Sequence, residues 1–151
     1  MIVAVGNATW LDGGLAARAD LASRYDAMLA ALWASGVEPR LLELCRLAIA
    51  RVLGDDDGAS IRTPAAGLDE ATVDALVRWR DAPGFTAAER AVLEVAEQFA
   101  VDVHGVTDAQ FAALVEGVGP KGAVALTTGL GLFDGQSRMR LALRRPPEVA
   151  P

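Results

Sequence analysis

The sequence has few of the residues on which several classes of protein function depend. Of its 151 residues, one is cysteine, one is histidine and 5% are aromatic. A single cysteine, Cys45, excludes an internal disulfide and any Cys-x-x-Cys chemistry. The one lysine is Lys121, the arginines are scattered, and the net charge is −6. This balance argues against nucleic acid and anionic membrane surfaces as partners.

Long apolar runs are also missing, although 52% of the residues are hydrophobic and the mean hydropathy is +0.29. The longest candidate, Gly122 to Phe133, falls short of the roughly 18–20 residues that span a bilayer. So much apolar surface without a span predicts burial between subunits, and therefore a homo-oligomer. No basic, apolar leader opens the sequence, so we expect a single-domain cytoplasmic protein.

Hydrophobic periodicity and helix caps predict an all-α protein, a bundle of about six helices. The predicted helices cover about 15–34, 39–53, 68–79, 86–101, a segment from 107, and 120–143. Thr86 and Thr107 each open a capping box. The glycines of the last helix predict close helix contact, a break near Gly135, or both. Residues 1–14 read as loop with a possible strand at 2–5, 54–67 as loop, and 144–151 as a fraying tail.

Glu43 is the exceptional residue of the second predicted helix, which is otherwise apolar nearly all round. Such a helix is normally buried, and an unpaired buried carboxylate is expensive. Glu43 is therefore either paired or functional, and Arg46, three residues on, could pair with it on the surface. Cys45, in the same helix, fits an inert apolar role.

Other polar residues have simple structural interpretations. Three consecutive aspartates, 55–57, suggest a metal site, but they point in different directions and no His or Glu follows at ligand spacing. A solvated loop is the favoured interpretation there, and also for His104 between two helices. Asp134 and Arg138, four residues apart, can pair and hold the last helix.

The order of several short segments resembles the carboxymuconolactone decarboxylase family, which includes the alkylhydroperoxidase-D-like proteins. The segments are Leu42-Glu43-Leu44 with Ala48, Leu53-Gly54, Gly67-Leu68-Asp69-Glu70, Phe85 to Leu93, Val106 to Phe111, and Gly131 to Asp134 with Arg138. They span about 38–144 and leave 1–37 as an N-terminal extension. The resemblance implies an alkylhydroperoxidase-D-like helical bundle with a central antiparallel helix pair, assembled as trimers or hexamers.

The resemblance also implies a site near the end of the second helix. In redox members of the family a glutamate precedes a Cys-x-x-Cys motif and then a histidine. Here the glutamate is Glu43, the cysteine positions carry Asp55 and Gly58, and the histidine position carries Arg62. By analogy with the family, Arg62 is a second possible partner of Glu43. The family's two chemistries are dithiol peroxidase or reductase activity and cofactor-free decarboxylation of a lactone acid.

These residues favour a cofactor-free, non-redox lyase or isomerase acting on an organic acid or a biosynthetic intermediate. Glu43 or Asp55 would be the general acid or base, and Arg62 would stabilise negative charge on the substrate. The candidate substrate-binding residues are Arg46, His104, Asp134 and Arg138. No metal or cofactor is expected. A non-catalytic oligomeric module that binds a ligand or partner is the alternative. A thiol peroxidase is disfavoured because that mechanism needs two thiols.

Overall fold

The computed structural model describes residues 18–143, and within that range it contains α-helices, short 3₁₀ turns and no strand. The helices are α1 (Ala19–Trp33), α2 (Pro39–Leu53), α3 (Asp56–Ser60), α4 (Glu70–Ala75), α5 (Ala87–Val101) and α6 (Asp108–Ala142). The turns are Pro64–Ala66, Leu76–Arg78 and Val103–Gly105. The all-α class and the six helices are thus confirmed. The expectations for 1–14 and for 144–151 lie outside the described residues.

Helix α2 lies at the centre, where it packs against both α5 and α6. Pro39 occupies its first turn, and Gly54 ends it in the left-handed conformation at φ 70°. Ten consecutive residues, 41–50, are buried. The burial expected for a helix that is apolar nearly all round is therefore confirmed. Two charged residues of α2, Glu43 and Arg46, are consequently held inside the core.

Helix α6 is divided at the position where the sequence predicts a new helix to start. Gly119 has non-helical backbone angles, φ 74° and ψ 166°, so two helical segments meet there, and the separate starts predicted at 107 and 120 are confirmed. Pro120 lacks a backbone N–H and restricts the preceding residue, and glycine tolerates the positive φ there. The break expected near Gly135 is wrong, because that residue is helical. Close helix contact is confirmed at Gly129, where an added Cβ would lie 3.2 Å from Leu32.

The stretch predicted as loop at 54–67 contains α3 and a 3₁₀ turn. Asp55 caps α3, because its Oδ1 accepts a hydrogen bond from the Gly58 backbone amide. Both predicted capping boxes, at Thr86 and Thr107, are present. The predicted helix 68–79 is α4 followed by a 3₁₀ turn. Among the helices of 18–143, none is long and apolar enough to cross a membrane.

Candidate functional site

A buried ion pair lies in the middle of α2. Glu43 is fully buried and Arg46 is 3% exposed. Arg46 donates from Nε to Glu43 Oε2 at 2.8 Å and from Nη2 to Oε1 at 2.7 Å. This bidentate geometry is the strong form of a charge-assisted contact. Of the two partners that the sequence offered for Glu43, the structure therefore selects Arg46.

Thr63 completes the surroundings of the Glu43 carboxylate. Its backbone amide donates to Oε1 at 3.0 Å, and its hydroxyl donates to Oε2 at 2.8 Å. A carboxylate has about four lone-pair sites, and Glu43 thus accepts four hydrogen bonds from protein groups. Glu43 is therefore arranged as an anchor between α2 and the chain at Thr63.

Arg46 also contacts the segment that contains α3. Its Nη1 donates to the Gly58 carbonyl at 2.7 Å, and its Nη2 donates to the Ile61 carbonyl at 2.6 Å. Backbone carbonyls thus share the guanidinium with the carboxylate of Glu43. The pair on α2 fixes the position of α3, and with it the position of Asp55.

Asp55 joins α3 to the last helix. The residue is 1% exposed. Its Oδ1 accepts from the Gly58 amide at 3.0 Å, and its Oδ2 forms an ion pair with Arg140 of α6. Any Cβ at position 58 would overlap Asp55 Oδ2 and Arg140 Nη1, so a larger residue there would displace the ion pair. At the two positions where the resemblance implies thiols, the chain has the Asp55 carboxylate and a glycine that leaves space for Arg140.

Two further polar residues, Tyr25 of α1 and Gln136 of α6, lie along the last helix. The Tyr25 hydroxyl of α1 donates to the Leu132 carbonyl at 2.7 Å. Burial raises the pKa of Tyr25 to about 12, although the charge of Arg140 acts in the opposite direction. Gln136 is 2% exposed, and its Nε2 has no hydrogen-bond partner among residues 18–143. Beyond the Asp55–Arg140 pair, α6 thus carries one buried polar side chain and contacts one part-buried tyrosine.

Arg62 lies at the edge of this arrangement. Its side chain is 31% exposed and forms a two-pronged contact with exposed Glu70, at 2.9 and 3.1 Å. It also donates to the carbonyls of Ala59 and Ile61. The contact with Glu70 raises the pKa of Arg62. The structure therefore brings Glu43 and Asp55 together through Arg46 and Gly58, and it pairs Arg62 outside them.

The remaining candidates lie away from this cluster. Arg138 is 56% exposed, and its Nε donates to Asp134 Oδ2 at 2.8 Å, as the four-residue spacing predicts. The Oδ1 of Asp134 is buried without a partner among the residues described. His104 has a side chain 92% exposed and lies 3.3 Å from Asp102, which matches a solvated loop residue.

Two alternatives raised by the sequence concern thiol and metal chemistry. Cys45 is 1% exposed, and burial raises the pKa of its thiol far above the ordinary range. Asp56 and Asp57 are exposed, in contrast to Asp55. Within residues 18–143, no group of three or more potential ligand side chains is placed to hold a metal ion.

Sequence reasoning missed Arg140, Thr63, Tyr25 and Gln136 as members of the cluster. Arg140 carried a usable signal, because it continues the helical spacing of the buried residues Leu126 and Phe133 and therefore lies on the core face. Thr63 carried none, because its contact with Glu43 spans 20 residues of chain.

Comparison with known proteins gives a family and a fold. The model of the carboxymuconolactone decarboxylase family matches residues 19–98, more than half of the chain. A similar solved structure is that of a protein of unknown function from Agrobacterium tumefaciens, for which a role as the antioxidant defence protein AhpD has been suggested. It is 21% identical, with a TM-score of 0.78, over 90% of this chain and 96% of the other. No curated protein matches the chain.

Proposed function

Because this chain belongs to the carboxymuconolactone decarboxylase family, we propose that it is a cofactor-free, non-redox lyase or isomerase that acts on an organic acid or a biosynthetic intermediate. The observation that carries the proposal is the ion pair between buried Asp55 and Arg140, whose side chain is 12% exposed. A buried acid–base group held by a cation from a distant helix is typical of sites built for proton transfer.

The pair also suggests how an acidic substrate binds. A substrate carboxylate is the same kind of partner for Arg140 as Asp55 Oδ2, and an arginine fork holds carboxylates well. When the substrate takes this place on Arg140, Asp55 keeps its hydrogen bond from Gly58 and its Oδ2 becomes available as a base. Binding of the substrate therefore also releases the carboxylate that acts as the base.

The chemical step that follows is a proton transfer next to a carbonyl group. Asp55 takes a proton from the carbon beside the carbonyl. The electrons of the C–H bond form a carbon–carbon double bond, and the π electrons of the carbonyl move to its oxygen to give an enolate. The positive charge of Arg140 stabilises that anion. Asp55 then returns the proton to another carbon, or the enolate expels a leaving group. We assign Arg140 the role that the sequence suggested for Arg62, and we assign Glu43 and Arg46 the positioning of α3.

A non-redox reaction is supported by the surroundings of the single thiol. Cys45 is enclosed by the core, where burial disfavours the thiolate that redox chemistry needs. The carboxylate of Asp55 occupies the first thiol position of the redox relatives. We therefore expect hydroperoxide consumption, if any is measured, to be the same in the wild type and in Cys45→Ser.

The test begins with a thermal-shift screen of small organic acids and lactones, followed by turnover assays on those that stabilise the protein. Asp55→Asn and Arg140→Met should each lower kcat by about 10²–10⁴-fold, the range of a general acid–base residue. The matched controls are Asp20→Asn and Arg18→Met, which remove an exposed ion pair elsewhere. Full turnover in Asp55→Asn would overturn the proposal.

A second candidate is a non-catalytic homo-oligomeric module, and exposed apolar side chains favour an assembly. Val77, Val101 and Val124 are 81%, 73% and 67% exposed, and Phe111 of α6 is 43% exposed. Apolar surface of this kind is typical of interfaces. Light scattering should report a trimer or hexamer, and Val124→Glu should weaken it. An oligomer that no acid stabilises and that turns over none would favour this candidate.

A further inference from the structure

Gln136 is the buried polar residue for which the fold has no evident use. It is 2% exposed, and its Nε2 has no hydrogen-bond partner in the described part of the chain. A buried amide donor left unpaired destabilises a protein, and such groups are uncommon in native structures. A leucine or methionine of similar size would avoid that penalty. The amide is therefore a candidate for contact with something outside the chain.

The position of Gln136 connects it to the proposed site. Gln136 and Arg140 are four residues apart on α6 and so lie one turn apart on the same face. The Tyr25 hydroxyl binds the Leu132 carbonyl, which in a helix is the acceptor of the Gln136 backbone amide. Tyr25, Gln136 and Arg140 thus follow one another along one side of the helix. Arg140 in turn contacts Asp55.

We propose that Gln136 recognises the carbonyl oxygen of an oxo acid whose carboxylate is held by Arg140. This inference rests on the function proposed above and narrows its substrate class. Side chains one turn apart on a helix have Cβ atoms about 5–6 Å apart. An acid with its carbonyl on the second or third carbon can span that separation, so that each oxygen group meets one side chain.

The chemistry of the amide fits this assignment. The unpaired atom of Gln136 is a donor, and a carbonyl oxygen is an acceptor. When Asp55 removes the neighbouring proton, negative charge grows on that oxygen, and an N–H aimed at it becomes a stronger contact. Gln136 would then contribute both to the choice of substrate and to the rate. A purely structural glutamine would contribute to neither.

The experiment measures binding of pyruvate and acetoacetate against propionate and butyrate, which lack the second oxygen. The wild type should bind the oxo acids about 10-fold more tightly, the effect of one hydrogen bond. Gln136→Leu should reduce that ratio to about one and leave the affinity for the plain acids within about two-fold. Its melting temperature should rise by roughly 2–6 °C, because the unpaired amide is gone.

Two further variants separate the possible failures. Gln98→Leu is the matched control, because Gln98 lies on another helix and its Nε2 is bonded to the Asp102 carbonyl; it should keep the ratio and gain no stability. Arg140→Met should bind neither the oxo acids nor the plain acids. A ratio that Gln136→Leu leaves unchanged overturns this inference alone. Failure of every acid to bind the wild type overturns the proposed function together with it.

Discussion

Exchange of Glu43 for glutamine distinguishes an anchor from a catalytic base. Glutamine keeps the size of the side chain but removes its charge, and it replaces one acceptor oxygen by an NH₂ group. That group then faces donors of Arg46 or Thr63, which surround the carboxylate in the native protein. Arg46, 3% exposed, loses its charged partner. The substitution therefore breaks a buried ion pair and places one hydrogen-bond donor opposite another.

The magnitude follows from the burial of both charges. Breaking a buried pair by removing one partner costs about 3–5 kcal/mol. For a chain of this size that corresponds to a fall in melting temperature of roughly 6–20 °C. Thr63→Val removes one hydrogen bond to the same carboxylate and should cost about 1.5–3 kcal/mol. The two variants share one partner, so their effects should not add.

The assay is denaturant unfolding, with Glu94→Gln as the control. Glu94 is exposed, and its exchange should change the free energy of unfolding by no more than about 0.5 kcal/mol. In Glu43→Gln, a loss of turnover should accompany the loss of stability, because the pair holds α3 and Asp55 in position. A Glu43→Gln protein of unchanged stability that loses turnover would refute the anchoring role and make Glu43 the catalytic group.

Three further outcomes follow from the described contacts. Tyr25 is the one tyrosine, so its tyrosinate absorbance should titrate at about pH 12. Because its pKa rises from 10 on folding, its contribution to stability should be lost between pH 10 and 12, and Tyr25→Phe should lack that loss. Cys45 should react with a thiol reagent only after denaturation, as mass spectrometry or absorbance can show. Gly58→Ala should lower the melting temperature, because the added methyl group overlaps Asp55 and Arg140 and displaces their ion pair. The control, Ala59→Gly, adds no atom and should leave the ion pair between Asp55 and Arg140 in place.

The helix bounds that the sequence predicted well are those with local signals. Pro39 in the first turn and Gly54 at the end define α2, and the capping boxes define the starts of α5 and α6. The bend at Gly119 also had a local cause in Pro120. The sequence predicted a helix start at Pro120 from that signal, whereas the further break suggested near Gly135 depended on glycine content alone, and Gly135 is helical.

The contacts of the site were harder to predict because they join distant parts of the chain. The pairing of Glu43 with Arg46 was available from a three-residue spacing. The pairing of Asp55 with Arg140 spans 85 residues and depends on how α6 crosses α3. No sequence spacing encodes that crossing. The choice of Arg62 as the cation came from its position in the family resemblance, whereas we propose Arg140 because it contacts Asp55.

The most direct test of the account is exchange of carbon-bound hydrogen for solvent deuterium in an oxo acid, followed by NMR in the presence of the protein. The account predicts exchange with the wild type and with Asp20→Asn, and a loss of at least about 10²-fold with Asp55→Asn. Exchange at the wild-type rate in folded Asp55→Asn would contradict it.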